Sequence, residues 1–308
     1  MTPVEEVEIV EVGPRDGLQN LPFYVETEKK VQLIRLLAES GIQAMEATSF
    51  VHPKAIPQFR DAAETIAGVK GTPGLKIIAL VPNLLGAQRA LAAGVQELSF
   101  VFSVSLSHNR NNVNKTPEES LEELKRIFDL PGMETQWTLR VNLATAFGCP
   151  FEGILPDDLV YEYTDRVVRI GAKVIALADT VGYGNPAQVR RIVAASLRQY
   201  PERHFIIHLH NTRGLGLANA LAAYEAGLRT FDSSIGGLGG CPYAPGATGN
   251  ISTEDLVFMF ESMGVKTGIR FPQLFRASNY LREILPGVEF SSGVLKAGLP
   301  KGMLGGAV

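Results

Sequence analysis

The chain has 308 residues, 45% of them hydrophobic and 20% charged, so it is long enough for one large core and too apolar for a disordered protein. Its net charge of −3 argues against a nucleic acid or an anionic membrane surface as a partner. Its 2 cysteines exclude a disulfide framework, and no apolar run reaches the roughly 18 residues of a membrane span. The acidic first residues lack the basic start of a secretory signal, so we expect a cytoplasmic protein.

Short β-branched runs alternate with longer helical patterns along most of the chain. We count eight such units, with predicted strands near 7–13, 44–50, 76–82, 97–104, 136–143, 174–179, 204–210 and 230–235. Caps, prolines or acids mark the helix starts between them, as at Thr27 and Pro117. Eight β-then-α units favour an α/β fold of the closed (β/α)8 TIM-barrel type. An open, doubly wound sheet is the alternative, because hydrophobic period does not reveal closure.

The regular spacing ends after Gly264. Residues 272–285 then predict an amphipathic helix outside the eight units, which is a candidate dimer surface of a homo-oligomer. Nothing resembling a linker separates a second domain. We therefore expect a single TIM-barrel domain over 1–308, with the barrel at about 5–265 and a C-terminal extension at about 266–308.

Polar residues gather where the predicted strands end, which is the end of such a barrel that carries reactive groups. His208 and His210 are two residues apart on the seventh strand, so both imidazoles point to one face and suit a divalent cation. Asp16 and Asn250 follow other strands and would add a carboxylate and an amide oxygen. This mixed donor set without a thiolate favours Mg²⁺ or Mn²⁺ over Zn²⁺. The alternative is two hydrogen-bonded histidines in the barrel interior.

Further charged residues accompany this set. Arg15 adjoins Asp16, and its guanidinium suits a carboxylate or a developing enolate oxygen, with a surface salt bridge as the alternative. Glu46 and Asp179 lie in apolar strand runs, where a buried carboxylate needs a partner. We expect each to hold Arg15, a metal-bound water or a ligand, or else to form an internal ion pair that only supports the barrel.

The glycine-dense segment 236–250 carries one thiol, Cys241. Such a loop can fold over a site and deliver the thiol as an acid or base. A surface turn with an inert cysteine and a phosphate-binding loop are the alternatives, although the second lacks the Gly-Lys-Ser/Thr ending. The other cysteine, Cys149, is expected to be a small buried thiol with a structural role.

Five segments together resemble the 3-hydroxy-3-methylglutaryl-CoA lyase family over nearly the whole chain. They are Val12-Gly-Pro-Arg-Asp-Gly-Leu-Gln-Asn20, Glu46-Ala-Thr-Ser-Phe-Val51, Gly148-Cys-Pro-Phe-Glu-Gly153, His208-Leu-His210 and Ser234-Ile-Gly-Gly-Leu-Gly-Gly-Cys-Pro-Tyr243. The last is highly specific, whereas Arg-Asp-Gly and His-x-His occur in a wider group of metal-dependent TIM-barrel lyases and synthases. The resemblance implies retro-Claisen cleavage of a 3-hydroxyacyl-CoA to acetyl-CoA and a keto acid.

The resemblance also implies roles for particular residues. Arg15 would stabilise the enolate of the departing thioester, and Cys241 would be the mobile catalytic thiol, with Glu46 and Asp179 in the site around them. The implied ligands of a divalent cation, Mg²⁺ or Mn²⁺, are Asp16, His208, His210 and Asn250. The implied partner is a small-molecule acyl-CoA.

The chain departs from the family where the acyl group is expected to bind. It reads Asn211-Thr-Arg213-Gly where the lyases usually have Asp-Thr-Tyr-Gly, Asn142 stands in place of a tyrosine, and Ala176 replaces a small hydroxyl residue. We therefore expect Asn142, Asn211 and Arg213 to contact substrate and to favour another carboxylate position, as in citramalyl-CoA. The alternative is that Arg213 points to solvent and that these changes are neutral. Two further hypotheses are a condensing acyl-CoA synthase, disfavoured by the cysteine loop, and a non-catalytic CoA-ester-binding barrel, disfavoured by the complete ligand set.

Overall fold

The protein is a closed barrel of eight parallel strands that pair in chain order, with the last strand hydrogen-bonded to the first. The computed structural model describes residues 5–133, 135–239 and 249–303. The strands are β1 (Glu8–Glu11), β2 (Ala44–Ser49), β3 (Lys76–Val81), β4 (Glu97–Ser103), β5 (Thr138–Ala144), β6 (Val174–Asp179), β7 (His204–Leu209) and β8 (Thr230–Ser233). The predicted TIM barrel is confirmed, and the open sheet is excluded.

Helices follow every strand and cover the outside of the barrel. They are α1 (Thr27–Glu39), α2 (Ala62–Val69), α3 (Leu84–Ala93), α4 (Leu106–Val113), α5 (Pro117–Phe128), α6 (Asp157–Ile170), α7 (Pro186–Gln199), α8 (Gly216–Glu225), α9 (Thr253–Ser262), α10 (Phe271–Ile284) and α11 (Gly293–Ala297). The start of α5 shows why they begin where they do, because Thr116 and Glu119 form a reciprocal capping box there. No helix in the described ranges is long and apolar enough to cross a membrane.

The extra helix predicted at 272–285 is observed as α10. Its buried side, which includes Leu274, Ala277 and Leu281, packs against α1 of the same chain. The face predicted to contact a second copy is therefore used within the chain, and the oligomeric state stays a prediction.

The hydrophobic core lies between the strands and the surrounding helices, whereas the inside of the barrel is partly polar. Arg140, Asn142 and Asp232 are buried on the inside, on β5 and β8. Because all eight strands run in parallel, their carboxyl ends meet at one end of the barrel. That end collects the side chains described next.

Candidate active site

The turn after β1 places two of the predicted site residues. The chain makes a single π-helical turn, Gly13–Gly17, which carries Arg15 and Asp16. A Cβ added at Gly17 would lie 2.9 Å from the Cβ of Leu238. The turn therefore approaches the loop after β8 so closely that only glycine fits there without a shift.

Two histidines and one carboxylate converge above the barrel. The Nε2 atoms of His208 and His210 are 3.2 Å apart. Together with Asp16 they offer ligand atoms that all lie within 4.8 Å of one another. The side-chain amide of Asn250 donates to the Asp16 carboxylate at 2.6 Å, so all four predicted ligands are neighbours.

The surroundings of these groups fit a divalent cation. Burial opposes charge on Asp16, but the positive charge of Arg15 prevails and holds the pKa of this carboxyl well below its usual range. Burial, reinforced by His208, lowers the pKa of His210 to about 4, so its ring is neutral and able to ligate at neutral pH. Its buried Nδ1 has no hydrogen-bond partner within the described part of the chain. The two imidazoles and the carboxylate together form a mixed N/O donor set.

Arg15 is fixed by two carboxylates. Its Nε donates to Glu46 at 2.5 Å and a terminal nitrogen donates to Asp16 at 2.6 Å. The Glu46 side chain is only 4% exposed, and that of Arg15 is 12% exposed. Burial works against the guanidinium charge, but the two carboxylates raise the pKa of Arg15 above its ordinary value. A rigid cation thus lies directly beside the candidate metal ligands.

Asp179 is buried at the end of β6, where it shapes a loop. Its two oxygens accept the main-chain N–H groups of Tyr183 at 2.8 Å and Gly184 at 3.0 Å. Burial raises the pKa of Asp179 to about 6, and the two hydrogen bonds oppose that shift. Its carboxylate lies outside the ligand group of Asp16, His208 and His210.

The predicted substrate residues have different surroundings. Asn142 is inside the barrel, where its side-chain oxygen accepts from Arg140 at 2.8 Å. Asn211 accepts the N–H of Gly216 at 3.0 Å. Their neighbour Ala176 pairs with Asn142 across β5 and β6 and is fully buried.

Arg213 is exposed, and its guanidinium faces the main chain after β6. It donates to the carbonyl of Val181 at 2.8 Å and lies 4.4 Å from the ring centroid of Tyr183. Its charge is thus engaged by these groups rather than free to bind a substrate carboxylate in this conformation.

Of the two cysteines, Cys149 lies in the described part of the chain. Cys241 lies outside the described residues. Cys149 is a buried free thiol whose Sγ is 2.9 Å from the Ser105 hydroxyl. Its position between the loops after β4 and β5 suits the structural role expected from the sequence.

A buried ion pair beneath the histidines was not predicted from the sequence. Arg140 donates to both carboxylate oxygens of Asp232, one of them at 3.0 Å, and the other oxygen lies 3.1 Å from Nδ1 of His208. A signal was present in the sequence, because each residue is a charge within a predicted strand, as Glu46 is.

The geometry defines a class, a (β/α)8 barrel with a candidate mixed-ligand metal site and a fixed arginine at its catalytic end. The HMGL-like family model matches residues 6–281, and this chain belongs to that family. A hydroxymethylglutaryl-CoA lyase of Bacillus subtilis is 43% identical, over 91% of this chain and 93% of that protein. The human mitochondrial hydroxymethylglutaryl-CoA lyase is 40% identical, over 91% of this chain and 86% of that protein.

A solved structure agrees with this assignment. The HMG-CoA lyase from Acinetobacter baumannii, in complex with coenzyme A and 3-methylmalate, has a TM-score of 0.91 and 44% sequence identity to this chain, with 96% of each chain covered. The family expected from the sequence motifs is therefore confirmed.

Proposed function

We propose that this protein is a carbon–carbon lyase that cleaves 3-hydroxy-3-methylglutaryl-CoA, or a closely related 3-hydroxyacyl-CoA, to acetyl-CoA and a keto acid. The observation that carries the proposal is the convergence of His208, His210 and Asp16 directly beside the Arg15–Glu46 pair. The relatives named as lyases of this ester, at 40–43% identity, support the substrate class. The complex of the Acinetobacter protein with coenzyme A supports an acyl-CoA ligand.

The proposed cofactor is a divalent cation, Mg²⁺ or Mn²⁺, held by Asp16, His208, His210 and Asn250. A mixed set of nitrogen and oxygen donors without a thiolate suits these ions. A bound cation supplies a Lewis acid that lowers the pKa of the substrate's C3 hydroxyl group.

The remaining chemistry belongs to side chains of this chain. Once the C3 hydroxyl has released its proton to solvent, its electron pair forms the carbonyl of the keto acid and the C2–C3 bond breaks. Negative charge then develops on the thioester oxygen, and Arg15 is the cation proposed to stabilise it. Glu46 and Asp16 hold the guanidinium in place, so it does not need to reorganise during the reaction. Cys241 is the proposed donor of a proton to the departing carbon.

The proposed activity belongs to a single domain. We assign the activity to one catalytic domain, residues 1–308, because the proposed ligands come from the turn after β1, from β7 and from the segment before α9. Asp179 is proposed to shape the site through its loop. A reducing compartment such as the cytoplasm suits the buried free thiol of Cys149, and we keep a homodimer as a proposal.

Metal dependence is the first test. Purified protein is treated with a chelator, and release of acetyl-CoA from 3-hydroxy-3-methylglutaryl-CoA is followed by mass spectrometry before and after Mg²⁺ or Mn²⁺ is added back. We expect activity to disappear and return, and we expect His210→Ala to stay inactive because the coordination shell is incomplete. Full activity in metal-free wild type would refute the cofactor assignment.

The acyl group is tested by comparing two esters. Because Arg213 is engaged by Val181 and Tyr183, we expect the wild type to prefer 3-hydroxy-3-methylglutaryl-CoA over citramalyl-CoA by at least about tenfold in kcat/KM, or about 1.4 kcal/mol. Asn142, Asn211 and Arg213 are proposed to contact substrate. The double variant Arg213→Tyr/Asn142→Tyr tests two of these positions, since it should change that ratio only if they contact substrate. A wild type that prefers citramalyl-CoA would instead assign the protein to that ester.

A further inference from the structure

The two ring nitrogens of His208 face opposite surroundings. Nε2 faces the candidate metal site, 3.2 Å from Nε2 of His210. Nδ1 faces down into the barrel, 3.1 Å from a carboxylate oxygen of Asp232. One side of this ring is thus available to a cation while the other contacts a buried charge.

Asp232 is held by a second guanidinium below the site. Arg140 donates to both of its oxygens, and the two residues are 3% and 1% exposed. A bidentate guanidinium keeps a buried carboxylate ionised, and an ionised carboxylate only accepts hydrogen bonds. The proton of the 3.1 Å contact therefore belongs to Nδ1 of His208. In the neutral tautomer that this contact selects, the lone pair is on Nε2, and this is the form of imidazole that binds metal.

Arg140 is fixed in turn by the barrel interior. Its Nε donates to the side-chain oxygen of Asn142 at 2.8 Å. The amide nitrogen of Asn142 donates to the Ser99 hydroxyl at 2.9 Å and to the Phe100 carbonyl at 3.0 Å. A continuous set of hydrogen bonds thus runs from β4 through β5 and β8 to the ring of His208 on β7.

We infer that Asp232 is a positioning residue of the metal centre, with Arg140 as its anchor. Asp232 fixes the orientation and the tautomer of His208, so that Nε2 is presented to the cation before it binds. This inference rests on the proposed function, because it needs a cation at His208. Outer carboxylate partners of ligating histidines typically change metal affinity by about 10 to 100-fold. The competing explanation is that Asp232 only neutralises the buried charge of Arg140.

Asp232→Asn separates the two explanations. Asparagine has a single side-chain oxygen, and the donors of Arg140 compete for it, so its NH₂ group is turned toward Nδ1 of His208. This favours the tautomer with a proton on Nε2, which cannot ligate. We expect the Mn²⁺ dissociation constant, measured without substrate by electron paramagnetic resonance, to rise by about 10 to 100-fold.

Asp61→Asn is the matched control. Asp61 is also a buried carboxylate paired with a buried cation, Lys30, at 2.7 Å, but it lies between α1 and α2. This variant loses stability in the same manner and should keep a Mn²⁺ dissociation constant within about twofold of wild type. A folded Asp232→Asn protein that binds Mn²⁺ as tightly as Asp61→Asn would overturn the inference.

A measurement on the wild type covers the case in which Asp232→Asn does not fold. The chain has 5 histidines, few enough to assign in ¹⁵N-labelled protein. We expect the ¹⁵N spectrum to show His208 protonated on Nδ1 and unprotonated on Nε2 without metal, with the Nε2 signal moving when Mg²⁺ is added. A proton on Nε2 instead would refute the positioning role.

His210→Ala distinguishes failure of this inference from failure of the proposed function. If His210→Ala binds Mn²⁺ like wild type, the metal site itself is wrong and the inference falls with it. If His210→Ala loses Mn²⁺ binding while Asp232→Asn retains it, the metal site stands and only the role of Asp232 is refuted.

Discussion

Glu11 is a buried carboxyl group at the end of β1 that joins three parts of the chain. It accepts the N–H groups of Gly13 at 2.7 Å and Ile235 at 2.9 Å, and the hydroxyl of Thr253 at 2.7 Å. Burial raises its pKa to about 8, although these hydrogen bonds oppose the shift. The folded protein therefore holds a proton that an exposed glutamate, with a pKa of about 4.3, has already lost at neutral pH.

This shift predicts a pH-dependent stability. Because the folded state binds the proton more tightly, the free energy of unfolding contributed by Glu11 is fully present below about pH 4 and is lost as the pH rises toward about 8. Relative to Glu11→Gln, which cannot titrate, the wild type should lose about 1.4 kcal/mol per pH unit between pH 6 and 7, and the slope should fall to about half of that at pH 8, where Glu11 in the folded state is half ionised. Urea unfolding of both proteins in chelator, at pH 6, 7 and 8, measures this. A difference that stays constant with pH contradicts it.

Replacement by alanine is expected to lower kcat at Cys241 and to lower stability at Cys149. Cys241→Ala should lose about 10²–10⁴-fold in kcat if the thiol donates a proton, while keeping its fold and its affinity for Mn²⁺. Cys149→Ala removes a buried side chain that contacts Ser105, so it should cost about 0.5–3 kcal/mol of stability with kcat nearly unchanged. Steady-state kinetics and denaturant unfolding of both variants test this. Equal and small kinetic losses would show that the glycine loop has no catalytic thiol.

At the scale of elements, one carboxylate attaches the C-terminal extension to the barrel. Asp255 on α9 accepts the Ser292 hydroxyl at 2.7 Å and the N–H groups of Gly293 at 2.9 Å and Val294 at 2.8 Å, at the start of α11. The chain just before α11 packs on the loop after β8, where the N–H of Ser291 donates to the Gly236 carbonyl at 3.0 Å. The extension thus supports the beginning of the glycine-dense segment.

Loss of the Asp255 hydrogen bonds should increase local opening in residues 290–297 and not in the barrel. Asp255→Ala is expected to reduce stability by about 1–2 kcal/mol, the cost of losing a helix cap and its hydrogen bonds. Hydrogen exchange should accelerate in residues 290–297 and remain unchanged in the strands. The control is Glu289→Ala, which removes one negative charge from an exposed position directly before residues 290–297. Unchanged exchange in Asp255→Ala would show that other contacts hold α11.

At the scale of the whole molecule, the candidate metal site exists only in the folded barrel. Asp16 lies in the turn after β1, and His208 and His210 lie at the end of β7. Asn250 lies just before α9 and forms a β-bridge with His210. The first and last of these four ligands are 234 positions apart in the chain, so the unfolded protein cannot hold all four together. Metal binding and folding are therefore linked.

This linkage predicts that Mn²⁺ stabilises the protein. At a free concentration 100 times its dissociation constant, the ion should raise the free energy of unfolding by about 2.7 kcal/mol. Denaturant unfolding with and without Mn²⁺ measures the increase. His210→Ala should show no increase, and an equal stabilisation of wild type and variant would place the ion elsewhere.

The sequence by itself determined the elements of this protein and much of its candidate site. Short β-branched runs located every strand to within two residues, and an amphipathic pattern located α10. His208 and His210 were expected on one face because side chains alternate along a strand, and they do converge. These features depend on local backbone geometry, and a short stretch of sequence is enough to predict that geometry.

Only the tertiary structure decided which distant groups meet. Closure of the barrel depends on β8 pairing with β1, and the Arg140–Asp232 pair joins residues 92 positions apart. The same holds for Arg213, whose contact with the carbonyl of Val181 no local pattern indicates. Buried charges pair according to strand register and rotamer across the barrel, and neither is encoded in the local pattern. The sequence therefore predicts which strands carry charged residues, and the tertiary structure determines which of these residues pair.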